Sequence, residues 1–192
     1  MRTSDEILEY WIEEVGPKGW YRSDPDIDQE IRDRFMETWE AAASGSLCEW
    51  TTAPNSALAF IILTDQFSRN MFRTDGRAFS TDRLALATAK KMIDRDWDLR
   101  IPEPQRQFVF MPLMHSECLS DQERCVRLLC SRMPETGSIN MLHAKAHRDV
   151  IREFGRFPYR NEALARSMRS VEQEYIENGG YGSTVRKLQA FA

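Results

Sequence analysis

Hydrophobic side chains recur along this chain at three- and four-residue intervals, and the strict apolar–polar alternation of a strand is nearly absent. The clearest case is Ile27, Ile31, Phe35 and Trp39, each four residues from the last. That spacing stacks side chains on one face of an α-helix and commits the chain to an all-α fold. The element boundaries follow from capping chemistry. Thr3 with Glu6 forms a capping box that opens a first helix through Glu14, ended by Gly16, Pro17 and Gly19. Asp24 and Pro25 suit the N-cap and first positions of a second helix, which Gly45 stops. Pro54 opens a third over 55–66, apolar almost all round and therefore central and buried. A fourth is predicted over 76–93, and a fifth over 104–116 with Pro112 kinking it before His115. Ser120 with Glu123 caps a sixth, ending near Met133, and a seventh spans 138–154 until Gly155 and Pro158. Ser170 with Gln173 opens the last, which ends at Asn178 before a glycine-rich tail. About eight helices with short loops suit an α-α superhelix of stacked antiparallel pairs. The expected organisation is one helical domain over 1–178 and a C-terminal tail over 179–192.

Composition excludes several classes. At 192 residues the chain buries a core without staples. A net charge of −4 argues against nucleic acid as a partner, which calls for a basic surplus. The longest apolar run, 57–63, is far short of a membrane span, and the segment MRTSDEILEYW lacks the marks of a secretory signal. Cys48, Cys118, Cys125 and Cys130 form neither a CxxC pair nor a zinc-ligand spacing. The last three are expected to pack as small apolar residues, and a reducing, cytoplasmic compartment is expected. Of 26 basic residues 21 are Arg, the side chain whose rigid fork matches carboxylate and phosphate; a GC-rich genome produces the same bias.

Four polar clusters could carry chemistry. Asp65, Arg69, Asn70 and Arg73 abruptly follow the most apolar helix. Such residues can bind a ligand or merely satisfy the carbonyls of a buried helix end. His115 and Glu117 follow the expected kink and are acid–base candidates. His143 and His147 share a helix face one turn apart, two ligands' worth of metal spacing that still needs a third. Arg148, Arg152, Arg156 and Arg160 recur at four-residue spacing. They form either an anion pocket or a salt-bridged face with Asp149 and Glu153. An echo joins the first and last clusters, because Phe67-Ser68-Arg69-Asn70 and Phe157-Pro158-Tyr159-Arg160-Asn161 both carry an Arg-Asn step after a helix. Trp20 and Tyr21, beside Gly16, Pro17 and Gly19, could line a pocket mouth or belong to the core.

Read together, these stretches resemble a bacterial family known as domain of unknown function 924. The resemblance is carried by Gly19-Trp20-Tyr21, Ile31 to Phe35, Asp65 to Asn70 with Phe72-Arg73, Met111 to Glu117, His147-Arg148-Asp149 and Phe154 to Asn161. It covers most of the chain up to about residue 176, and implies a superhelix like that of tetratricopeptide-repeat proteins and no established activity. Three positions depart from the family pattern: Ser68 where Pro is usual, Cys118 where a polar residue is common, and Tyr159 where His is common. His143 lies outside the pattern, which weakens a metal reading.

The leading expectation is an anionic small molecule or acidic peptide held in a concave Arg/His-lined pocket by Asp65, Arg69, Asn70, Arg73, Arg148, Arg156, Arg160, Asn161 and Trp20. The alternatives are a small hydrolase or transferase using Glu117 and His147, with or without a metal, His115 being a further catalytic candidate, and a scaffold whose polar clusters only tie helix ends together. No resident cofactor or metal and no membrane are expected, and a homo-oligomer is allowed.

Overall fold

The computed structural model describes residues 1–190. Every regular element is helical, and no strand occurs among the described residues. The chain divides into two compact units, Met1–Pro112 and a second beginning at Leu113. No loop or composition shift marks this division. It falls inside the helix Gln107–Met114, at the proline whose missing N–H leaves a gap in the backbone ladder. No helix among the described residues is long and apolar enough to cross a membrane.

The first unit opens with α1 (Ser4–Leu8), capped as the sequence predicts. The Glu6 N–H donates to Thr3 Oγ1 at 3.3 Å, and the Thr3 N–H donates back to the Glu6 carboxylate at 2.7 Å. A π-helical turn (Glu9–Val15) runs on to Gly16, whose φ of 61° needs glycine, and the short α2 (Gly16–Gly19) follows. Asp24 accepts from the Asp26 N–H at 3.1 Å and Pro25 opens α3 (Pro25–Ala43). The stripe Ile31, Phe35 and Trp39 is buried on α3, and so are Asp28 and Thr38. The helix α4 (Pro54–Ile61), a π-helical turn (Ile62–Phe67) and α5 (Ser68–Met71) form one central run, in which every residue from Ala57 to Ser68 is buried. Phe67 joins Tyr10, Trp11 and Phe35 at ring separations of 4.9–6.0 Å, which is the aromatic centre of this unit. The stretch expected as a helix from residue 76 begins as a 3₁₀ turn (Gly76–Phe79) and becomes α6 only over Asp82–Asp94. The helix with the internal proline, α7 (Gln107–Met114), is shorter than expected at both ends and stops just before His115.

In the second unit α8 (Leu119–Arg132) and α9 (Ser138–Phe154) pack as a hairpin. Ser120 is not the cap of α8. Cys118 holds the N-cap position, and Ser116 Oγ accepts the Cys118 N–H at 3.2 Å while donating to Asp121 at 2.9 Å. Gly155, at φ 72°, ends α9 in the left-handed form, its N–H on the Ile151 carbonyl at 2.9 Å. After a 3₁₀ turn (Pro158–Arg160) comes α10 (Ser170–Glu177), whose capping carboxylate is Glu172 rather than Gln173. The stretch expected as a tail forms α11 (Gly180–Gln189), lying on α9. Asn178 and Gly179, the latter at φ 95°, separate α10 from α11, and beyond them Tyr181 supplies an apolar ring that packs against the cluster of Val150, Ile151, Phe154 and Phe157. All four cysteines are free thiols. Only Cys125 is buried; Cys118 is exposed at the N-cap ahead of α8, and Cys130 is exposed because it lies off the inward stripe of Cys125, Leu128 and Leu129.

Candidate functional site

Three polar neighbourhoods contain the residues singled out from the sequence. The first surrounds α5. Arg69 is fully committed as a brace: its Nη1 donates to the Asp65 carbonyl at 2.6 Å, and Nη1 and Nη2 fork onto Asp82 at 3.0 and 3.1 Å. Asp65 itself is inaccessible to solvent and accepts from Gln66 Nε2 at 2.5 Å. Arg69 therefore closes the end of the central run, where a buried carbonyl needs a donor. Asn70 and Arg73 turn the other way. Asn70 Nδ2 donates to Asp28 Oδ1 at 2.7 Å, and Arg73 grips the same carboxylate through Nε and through Nη2, the latter at 2.6 Å.

These two residues line a cleft of about 470 Å³ between α3 and the segment 70–77. Two arginines that the sequence reading did not single out complete it. Arg32, from α3, donates Nη2 to the Met71 carbonyl at 2.8 Å and Nη1 to Gln29 at 2.7 Å. Arg77 lies over the Phe72 ring at 4.4 Å and donates Nε to Asp75 at 3.0 Å. The cleft thus sets three guanidinium groups against the carboxylates of Asp28 and Asp75, a formal surplus of one positive charge. A guanidinium has five N–H groups, and none of the three arginines uses all of them in these bonds. Arg73 keeps 40% of its side chain exposed although it braces Asp28. Asp75 is held below the ordinary carboxylate range, first by the Arg77 side chain and then by its backbone N–H. The one-turn spacing Asp28–Arg32 on α3 puts Arg32 on the face of Asp28, but nothing local shows that the segment 70–77 meets it or brings Arg77 there.

The second neighbourhood is histidine-rich and lies in the second unit. The His147 Nδ1 is 2.8 Å from the His143 carbonyl, which can only accept, so Nδ1 carries the proton and Nε2 holds the lone pair. Tyr181 Oη lies 2.7 Å from His143 Nδ1 and 3.1 Å from His147 Nδ1; with that tautomer its hydroxyl donates to His143. The His115 ring is 6.2 Å from that of His147, and the Phe157 ring meets His147 edge-on at 5.3 Å. Burial pushes the His147 imidazolium down to about 3, with His115 and Arg160 adding repulsion, so the ring is neutral. Burial also lowers His143. No group of three His, Cys, Asp or Glu side chains among the described residues is arranged to hold a metal ion.

The third neighbourhood consists of ion pairs in the same unit. Glu172 has no solvent-exposed surface and gathers Arg156, Arg169, Asn161 and the Arg169 N–H at 2.6–3.2 Å. Arg156 and Arg169 hold its carboxyl far below the ordinary range, against the opposing effect of burial. Glu117 accepts both Nη groups of Arg166, at 2.8 and 3.1 Å, and the Phe157 N–H at 2.8 Å. Burial raises its pKa, but those donors outweigh it and keep Glu117 ionised. Arg148 and Arg152 face Asp149 and Glu123. Arg160 is buried over the Phe157 ring at 4.5 Å. Trp20 is placed in the core of the first unit rather than at a pocket mouth. It is 6% exposed, packs on Phe108 at 4.8 Å and donates its indole N–H to the Trp11 carbonyl at 2.7 Å. Of the two echoed Arg-Asn steps, Arg69-Asn70 belongs to the first unit and Arg160-Asn161 to the second, and both asparagines donate to a carboxylate of their own unit.

An all-helical protein with heavily braced arginines and an open arginine cleft is the class these features define. The chain belongs to the family described as bacterial protein of unknown function (DUF924), whose model matches residues 7–180. It is similar to the solved structure of a protein of unknown function from Agrobacterium tumefaciens, at 35% identity and a TM-score of 0.84, covering 91% of this chain and 97% of that one. No curated protein matches it.

Proposed function

We propose that this protein binds an anionic small molecule, or the acidic side chain of a peptide, in the cleft between α3 and the segment 70–77. Arg73 and Asn70 form its floor, and Arg32 and Arg77 flank it. The observation that carries the reading is the charge inventory of the cleft: three guanidinium groups against two carboxylates, in an open space of about 470 Å³. A volume of that order suits a small metabolite, and convergent guanidinium groups favour carboxylate or phosphate over neutral ligands. Arg69, Arg148 and Arg156, also considered from the sequence as anion ligands, serve in this reading as braces, because each already faces acids of its own unit.

The acid–base alternative keeps the neutral Nε2 of His147, but a ring whose imidazolium is pushed down to about 3 is a weak proton acceptor near neutrality. Glu117 is poorly suited to be its partner, since an ionised carboxylate chelated by Arg166 neither gives up nor takes a proton near neutrality. The anion reading is tested by thermal unfolding in phosphate, sulfate and citrate, each matched in ionic strength by chloride. Citrate should raise the melting temperature above the chloride control, and Arg73→Gln with Arg77→Gln should abolish that rise. A rise that survives both substitutions, or no rise in the parent protein, overturns the proposal.

A further inference from the structure

The first unit contains a second hollow, of about 260 Å³, between the end of α3, the 3₁₀ turn Cys48–Thr52, α4 and α6. Its walls are chemically the opposite of the arginine cleft. Ala42, Phe60, Leu84 and Ala87 make it almost wholly apolar, and the only charged side chain lining it is Lys91.

That lysine is unusual in its partners. Its ammonium donates to the Thr51 hydroxyl at 3.1 Å and forms no ion pair among the described residues. An ammonium has three N–H donors, so two remain. The hydroxyls beside it cannot take them over as donors toward a ligand. Thr51 Oγ1 already donates to the Cys48 carbonyl at 3.0 Å, and Thr88 Oγ1 donates to the Leu84 carbonyl at 2.9 Å. One partly buried cation with spare donors therefore stands at an apolar wall. Its two spare N–H groups are open to an anionic head that displaces solvent from them beside the apolar wall.

We infer that this hollow is a binding site for an apolar monocarboxylate, its tail on Phe60, Leu84 and Ala87 and its carboxylate on the Lys91 ammonium. One cation selects one anionic head. A volume equal to about nine waters of roughly 30 Å³ each excludes long acyl chains and admits a medium-chain or single-ring acid. The site is independent of the arginine cleft, which lies beside Asp28 and shares no lining residue with it.

The test uses sodium octanoate on the full-length protein, read by calorimetry and by the alkylation rate of Cys48, an exposed thiol at the rim. Octanoate should bind saturably and slow alkylation of Cys48 but not of Cys130, while acetate and octylamine do neither. Lys91→Met should weaken octanoate on the order of tenfold, the loss of one charged hydrogen bond, and leave the weaker binding of octanol unchanged. Lys91→Arg should retain octanoate binding, and Ala87→Trp should fill the space and abolish it. The inference is overturned if octanoate gives no saturable heat, if Lys91→Met binds it as tightly as the parent, or if octanol matches octanoate. Unfolding curves of each variant without ligand separate loss of the site from loss of the fold.

Discussion

Arg73 and Asp28 meet across 45 positions of sequence, the guanidinium forking through Nε and Nη2 onto one buried carboxylate that also accepts Asn70. This pair welds α3 to the segment after α5, and it also decides how much of Arg73 is left for a ligand.

Replacing Asp28 with Asn should therefore act in two directions at once. Losing charge-assisted bonds inside the fold should cost about 2 kcal/mol, measured by urea unfolding. The same change replaces one acceptor oxygen facing Arg73 by an amide NH2 and removes a negative charge from the cleft, so citrate should bind more tightly than to the parent. Weaker citrate binding to a folded Asp28→Asn protein would contradict the charge argument.

Glu172 is the hub of the second unit, and Glu172→Gln should destabilise it by about 3 kcal/mol, because two arginines lose a shared buried partner. Its carboxyl is depressed below the ordinary 4.5, so its contribution is complete above that pH and is lost as pH falls through the folded value. Acid unfolding of the parent should steepen below about pH 4.5, and Glu172→Gln should flatten that limb.

His147 should remain neutral well below pH 6.5. A histidine depressed in the folded state favours folding above its unfolded value and opposes it as pH falls, because the unfolded chain takes up the proton first. Side-chain nitrogen resonances should show His147 protonated on Nδ1 and uncharged at pH 5, and His147→Gln should reduce the loss of stability between pH 6.5 and 5. An ordinary titration near pH 6.5 would contradict the burial of the His147 ring.

Gly155 holds a left-handed φ of 72° with open space where a Cβ would stand. Gly155→Ala should cost about 1 kcal/mol from backbone strain alone, with no change in packing. A neutral result, read by thermal unfolding, would mean that the end of α9 can relax.

The helices were readable because period and caps agree. Thr3 with Glu6, Asp24 with Pro25, and Gly155 all do what their chemistry predicts. Ser120 and Gln173 mislead because a neighbour reaches the orphan N–H groups first: Ser116 at the head of α8, and Glu172 in α10. The helix α11 was hidden by three glycines whose cost is offset by Tyr181 packing on α9. For the sites, spacing along one helix could show that arginines share a face but not which acids meet them. Arg156 lies past Gly155, which ends α9, and it folds onto Glu172, sixteen residues on, a partner that four-residue spacing does not show. Arg32 and Lys91 matter through what faces them across loops, and nothing local encodes that. The membership in a family of unknown function was legible from motifs such as Met111 to Glu117, whose residues turn out to be a helix end and an ion pair.

The most direct test of the account is a calorimetric titration of citrate into the parent protein and into Arg77→Gln. Arg77 is exposed, and its contacts, Asp75 and the Phe72 ring, lie within five residues of it, so this change leaves the long-range braces of the fold intact. One citrate should bind per chain, weakening as salt rises, and on the order of tenfold more weakly to Arg77→Gln. Equal affinity in the two proteins, or no heat of binding in either, would contradict the assignment of the arginine cleft.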